Sequence, residues 1–265
     1  MAVALAAGMT SRTAAWLLLL LAPASASAFN LEHDGSGNRV VLAAKELTFR
    51  LPAKLPRGIT AEQAKTAIEA AASAWAQASG VTVKVVPGAA DAEPGYSRTG
   101  QNYNDILFID HDWKWDAGAV GVALLAVDEV SHTIRGADIL LNATEYEFAV
   151  LDGTSKPDTG FAYDLQNVVT HEMGHVLGLA HSTAPDAAMY GASARGEVSK
   201  RVLASDDWDG AQLLYQAPGG SSEPVGCATA PGRCPALLWA LFGLPLLALR
   251  RRNPHDGAPK STAER

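Results

Sequence analysis

Apolar and polar positions first alternate at ELTFRLP, where Leu47, Phe49 and Leu51 point one way and Thr48 and Arg50 the other. A period of two marks a half-buried strand. The period changes after Thr60. Ala64, Ile68, Ala71 and Trp75 recur at spacings of four, three and four, a stripe that a helix presents to a sheet. Thr60 and Gln63 form a capping-box signature at its start, and Gly80 is suited to end it. Four further strands are predicted at residues 81–86, 105–110, 120–127 and 137–142, with a long exposed loop over 87–104. A second helix is predicted to open at Asp164, a good N-cap, and to bury Leu165, Val168, Val169 and Val176. A last helix begins at Ser205. Asp206, Asp207 and Asp209 lie near its start, where the helix dipole favours acids, and Trp208, Ala211 and Tyr215 supply a face to bury. The class is α+β.

The second helix runs into HEMGHVLGLAH, from His171 to His181. His171 and His175 are one turn apart on one helix face, so two imidazoles can share a metal ion. Gly178 accepts the left-handed conformation that reverses the chain, which carries His181 back towards the pair. Glu172 can point at the solvent side of that metal. Three neutral nitrogen ligands with a fourth position open describe a catalytic zinc rather than a structural one. Each histidine alone would be read as an ordinary core or surface residue; the fixed spacing of five positions is what makes the signal specific.

Both ends differ from this middle. Arg12 precedes a short apolar run that closes on Ala26-Ser27-Ala28, a small-x-small pattern, so residues 1–28 read as a secretory signal peptide with Phe29 as the mature start. Residues 29–217 form the expected catalytic domain. Residues 218–234 read as a linker holding Cys227 and Cys234, residues 235–252 as a short apolar anchor or sorting segment closed by Arg250-Arg251-Arg252, and residues 253–265 as a polar tail. Fifteen residues of helix reach about 22 Å, short of a bilayer core of about 30 Å. The tail resembles the C-terminal sorting tails of some bacterial surface proteins, except that residues 253–265 continue past the arginines. A weak permanent anchor, or a tail that simply lies on a membrane, is the other reading. Both cysteines lie outside the domain, so no disulfide staples its core. The formal net charge of −7, with no basic stripe, argues against a nucleic-acid partner. Asp110, Asp112 and Asp116 could bind calcium, and His111 with His132 a second, structural zinc; loop aspartates also serve as plain turn formers.

HExxHxxGxxH with a methionine, Met189, eighteen residues after His171 resembles the metzincin metalloproteases. Ser182 after the third histidine, AAMYG at the methionine turn and LASDDWDGAQLLY further on resemble the matrixin branch, the relatives of matrix metalloproteases. The resemblance spans about 42–215. It implies a zincin fold: a twisted, mixed five-stranded sheet, two long helices, and a small C-terminal subdomain with the methionine turn and final helix. It implies that Met189 floors the zinc ligands, that Asp206 and Asp207 brace the methionine turn and the chain start, and that an edge strand near 121–126 pairs with substrate backbone. The chain departs from the family in having no propeptide cysteine before Cys227, and in having Gly191-Ala192-Ser193 where a proline and tyrosine usually wall the pocket for the residue after the cut bond.

The expected function is a secreted or surface-anchored, monomeric zinc endopeptidase acting on extended peptides, with Glu172 as general base. Two rivals remain open: a surface-displayed binding or adhesion module with a non-catalytic zinc site, and a zinc hydrolase acting on something other than peptides. An intact Glu172 speaks against the first, because a structural site has no need of a base.

Overall fold

The computed structural model describes residues 27–96, 103–157 and 160–216. The expected signal peptide, the cysteine linker and the apolar tail lie outside the described residues, apart from Ser27 and Ala28. Among the described residues ten strands and three α-helices follow in the order β1 (Asn30–Leu31), β2 (Val41–Leu42), β3 (Glu46–Arg50), α1 (Ala61–Ser79), β4 (Thr82–Val86), β5 (Asn104–Ile109), β6 (Gly121–Asp128), β7 (Thr133–Asn142), β8 (Glu147–Ala149), β9 (Ala162–Asp164), α2 (Leu165–Val176), β10 (Leu179–Ala180) and α3 (Ser205–Tyr215).

The main sheet runs β4-β3-β5-β7-β6, parallel except for β6, which is antiparallel to β7. A sixth, two-residue strand, β2, adds to β7 beyond the end of β5. This corrects the expected count of five. Two paired residues carry no hydrophobic period, so β2 leaves no trace in the sequence. The strand read at 137–142 starts earlier, at Thr133, because the whole of β6 folds back on it as a hairpin. Two further two-stranded pairings, β1 with β10 and β8 with β9, were likewise not expected. Among the described residues β6 pairs with β7 alone and forms one edge of the sheet, β4 the other.

Helix α1 starts as its sequence dictates. Thr60 and Gln63 exchange both capping-box hydrogen bonds, and Gly80 ends the helix at φ 73°. Its stripe of Ala64, Ile68, Ala71 and Trp75 is buried. Trp75 is 0% exposed and donates from Nε1 to the carbonyl of Thr170 at 2.7 Å, so α1 carries α2 by packing and by a satisfied indole. Truncating such a residue costs about 3–5 kcal/mol.

Helix α2 is fixed at its start by Asp164. Its carboxylate caps Asn167 N–H and pairs through both oxygens with Arg201, at 2.7 and 2.5 Å. A bidentate, buried pair holds geometry as well as charge. At the other end Gly178 takes φ 96°, and a Cβ there would stand 2.5 Å from the Val40 carbonyl. Only glycine both reverses the chain and admits that close approach.

Candidate active site

The reversal at Gly178 does what the spacing predicts. One nitrogen from each of His171, His175 and His181 lies within 4.8 Å of the others, and the ring centroids are 4.9–5.2 Å apart. His171 and His175 come from α2; His181 follows β10. The segment around β1 helps hold this loop. β1 pairs with β10, and Asn30 Nδ2 donates to the His181 carbonyl at 2.8 Å.

The tautomers follow from the partners. His171 Nδ1 faces the carbonyl of Ala188 at 2.6 Å, and His175 Nδ1 faces the carbonyl of Leu179 at 2.8 Å. A carbonyl only accepts, so each Nδ1 carries the proton and leaves Nε2 bare for a metal. Glu32 adds a carboxylate oxygen 3.1 Å from His175 Nδ1. Burial holds His171 well below the ordinary histidine value, and burial with the neighbouring His175 and Lys200 lowers His181. Burial opposes charge on His175 too, but Glu32 and Glu172 outweigh it and raise it. Three converging imidazoles, two of them oriented through Nδ1, are the donor set that zinc takes.

Glu172 sits beside the triad against β6, its carboxyl end at the place a side chain on Gly121 would fill. Burial pushes it up to about 7, against the pull of His175, Lys200 and the Ala123 amide. The cleft it faces has a volume of about 670 Å³, with Gly121, Val122 and Ala123 of the edge strand along one side and Gly191, Ala192 and Ser193 along the other.

Below lies the methionine turn. Met189 is 1% exposed, and its Sδ packs so closely on Gly174 that a Cβ there would be 2.1 Å away. Asp207 accepts from the N–H groups of Ala188, Met189 and Ala204. Asp206 accepts from Ala28 N, Phe29 N and Ser182 Oγ. The paired aspartates therefore hold the methionine turn and the backbone at residues 28–29.

The extra metal candidates are not brought together. His111 pairs with Asp110, His132 with Asp34, and among the described residues the histidine triad is the one cluster of three or more such side chains. Their alternative role as local turn formers fits better: Asp116 caps Gly118 N–H within its own loop.

Sequence reasoning missed Lys200, Glu32 and Gly121. Lys200 is 2% exposed and its Nζ donates to the carbonyls of Tyr190 and Ala192 at 2.5 and 2.8 Å. Nothing in the polar stretch 191–204 singled it out.

Residues 41–216 match the family model for matrixins. The chain belongs to the matrixin family. Matrixins are zinc-dependent metalloendopeptidases, and the triad of this one fits a catalytic zinc site. Over 72 residues this matrixin is 43% identical to human neutrophil collagenase, covering 27% of this chain and 15% of that protein. It is 46% identical over 74 residues to metalloendoproteinase 1 of Glycine max (28% of this chain, 24% of that protein). A longer match, 29% identical over 157 residues, is to metalloendoproteinase 1-MMP of Arabidopsis thaliana, covering 59% of this chain and 39% of that protein. The chain thus spans well under half the length of these curated relatives.

Proposed function

We propose that this matrixin is a secreted, zinc-dependent endopeptidase in which His171, His175 and His181 hold the metal and Glu172 is the general base. The observation that carries the reading is the pairing of an open imidazole triad with a buried carboxyl beside it. When bound there, zinc would bring the pKa of a bound water towards about 7 and polarise a peptide carbonyl. Glu172 takes the proton from the attacking water and returns it to the leaving nitrogen. Burial raises its affinity for that proton, which suits both halves of the task. β6, which pairs with β7 alone among the described residues, suits an extended peptide added as a further strand. The small residues Gly191-Ala192-Ser193 wall the hollow that would receive the side chain following the cut bond.

Secretion is supported by the signal-like residues 1–28 and by the dock at Phe29, whose N–H meets Asp206 at 2.9 Å. Cleavage before Phe29 would leave an α-ammonium beside that carboxylate. The tail beyond residue 217 would then sort or anchor the protein at the cell surface.

The test is Glu172→Ala. It should keep one zinc per chain while hydrolysis of a mixed peptide library falls by orders of magnitude; full activity in that variant would remove the general-base assignment.

A further inference from the structure

We infer that Lys200 makes the cleft selective for an acidic side chain, aspartate or glutamate, immediately after the cut bond. The inference rests on the peptidase reading above and deepens it by naming a substrate class.

Lys200 stands on a single turn of 3₁₀ helix, Ser199–Arg201, that is pinned to the start of α2. Its N–H donates to Asn167 Oδ1 at 2.8 Å, and the next residue, Arg201, holds Asp164. From there the side chain runs inward to line the cleft with Tyr163, Val168, Ala192 and Ser193. Its reach is fixed rather than floppy, because both carbonyl partners of Nζ belong to the strand of chain that follows Met189.

An ammonium has three donors, and two are used. Among the described residues no carboxylate comes within 4.0 Å of it; Glu197, Glu172 and Asp207 act on it only at longer range. Glu172 faces Gly121 and Asp207 is occupied by the methionine turn. Burial lowers the pKa of Lys200, the sign of a charge held in poor solvation. A buried cation whose partners are dipoles alone gains most from an incoming anion. The small wall residues leave room for one, and an aliphatic side chain in the same hollow would strip water from the ammonium and give nothing back.

A purely bracing role for Lys200, tying the wall to the helix, would change the rate for every substrate alike. Selectivity would change the ratio between substrates. The experiment uses the full chain loaded with zinc and four peptides that differ only after the cut bond, carrying Glu, Gln, Leu or Lys there. The expected order of kcat/KM is Glu above Gln above Leu, with Lys slowest, and Glu ahead of Leu at least tenfold. Lys200→Met should bring Glu and Leu within about twofold of each other, while Lys200→Arg keeps the acidic preference. Metal content and thermal unfolding of each variant identify any that fail to fold; the wild-type series decides on its own in that case. Leu ahead of Glu in the wild type, or an unchanged ratio in folded Lys200→Met, would overturn the assignment. If a mixed peptide library is cleaved and none of the four peptides is, the assignment fails and the peptidase reading stands. If the library too is left intact, the peptidase reading fails and takes the assignment with it.

Discussion

Glu172 occupies the space that a side chain on Gly121 would need: a Cβ built there stands 2.8 Å from Glu172 Oε1. Gly121 opens the edge strand and does not have a positive φ, so alanine suits its backbone. The strain of Gly121→Ala would therefore fall on the far end of the glutamate, which is flexible enough to move. We predict that Gly121→Ala lowers kcat/KM for peptides at least tenfold, leaves zinc content unchanged, and shifts stability by less than about 1 kcal/mol. Wild-type turnover in this variant would show that the position of Glu172 is not critical.

The raised pKa of Glu172 links the metal-free protein to pH. Its unfolded value is 4.5 and its folded, metal-free value about 7, so the folded state holds the extra proton between them. Stability from the protonated form is complete below 4.5 and is lost as pH climbs through 7. The amount is on the order of 3 kcal/mol. Denaturant unfolding of metal-free wild type and Glu172→Gln from pH 4 to 8 isolates it. The stability of Glu172→Gln relative to wild type should rise with pH and level off above about 7; a pH-independent difference would contradict the assigned burial.

Asp207 is 1% exposed and supplies acceptors to three backbone N–H groups. Asparagine at that position turns an NH₂ towards donors. Asp207→Asn should lose about 2–4 kcal/mol on denaturant unfolding. Zinc affinity should fall with it, because the carbonyl of Ala188, whose N–H Asp207 holds, orients His171. Asp209, two residues on and exposed, is the control; Asp209→Asn should change stability by no more than about 0.5 kcal/mol.

Much of this was legible in the chain itself. Thr60, Gly80, Asp164 and Gly178 announce helix ends because caps and left-handed turns depend on local chemistry. The convergence of His181 with His171 and His175 followed from one helical period and one glycine. What stayed hidden depends on distant partners. β2 is two residues long and exists because β7 offers an unpaired edge beyond β5. Glu32 reaches His175 because β1 joins β10, a pairing between segments nearly 150 residues apart. Lys200 is buried because its turn is drawn onto α2 through Asn167 and Asp164, and a lysine in a polar stretch gives no sign of that. The suggested calcium and second zinc ligands do not converge: His111 and Asp116 find partners within their own loop, and His132 is drawn off to Asp34, 98 residues away.

The most direct measurement is a zinc count on the purified protein, coupled to cleavage of a peptide library before chelation, after chelation and after zinc is returned. One zinc per chain, loss of cleavage with the metal and recovery on its return are the predicted results. Cleavage that persists in metal-free protein, or a folded chain that takes up no zinc, would contradict the assignment of the three imidazoles.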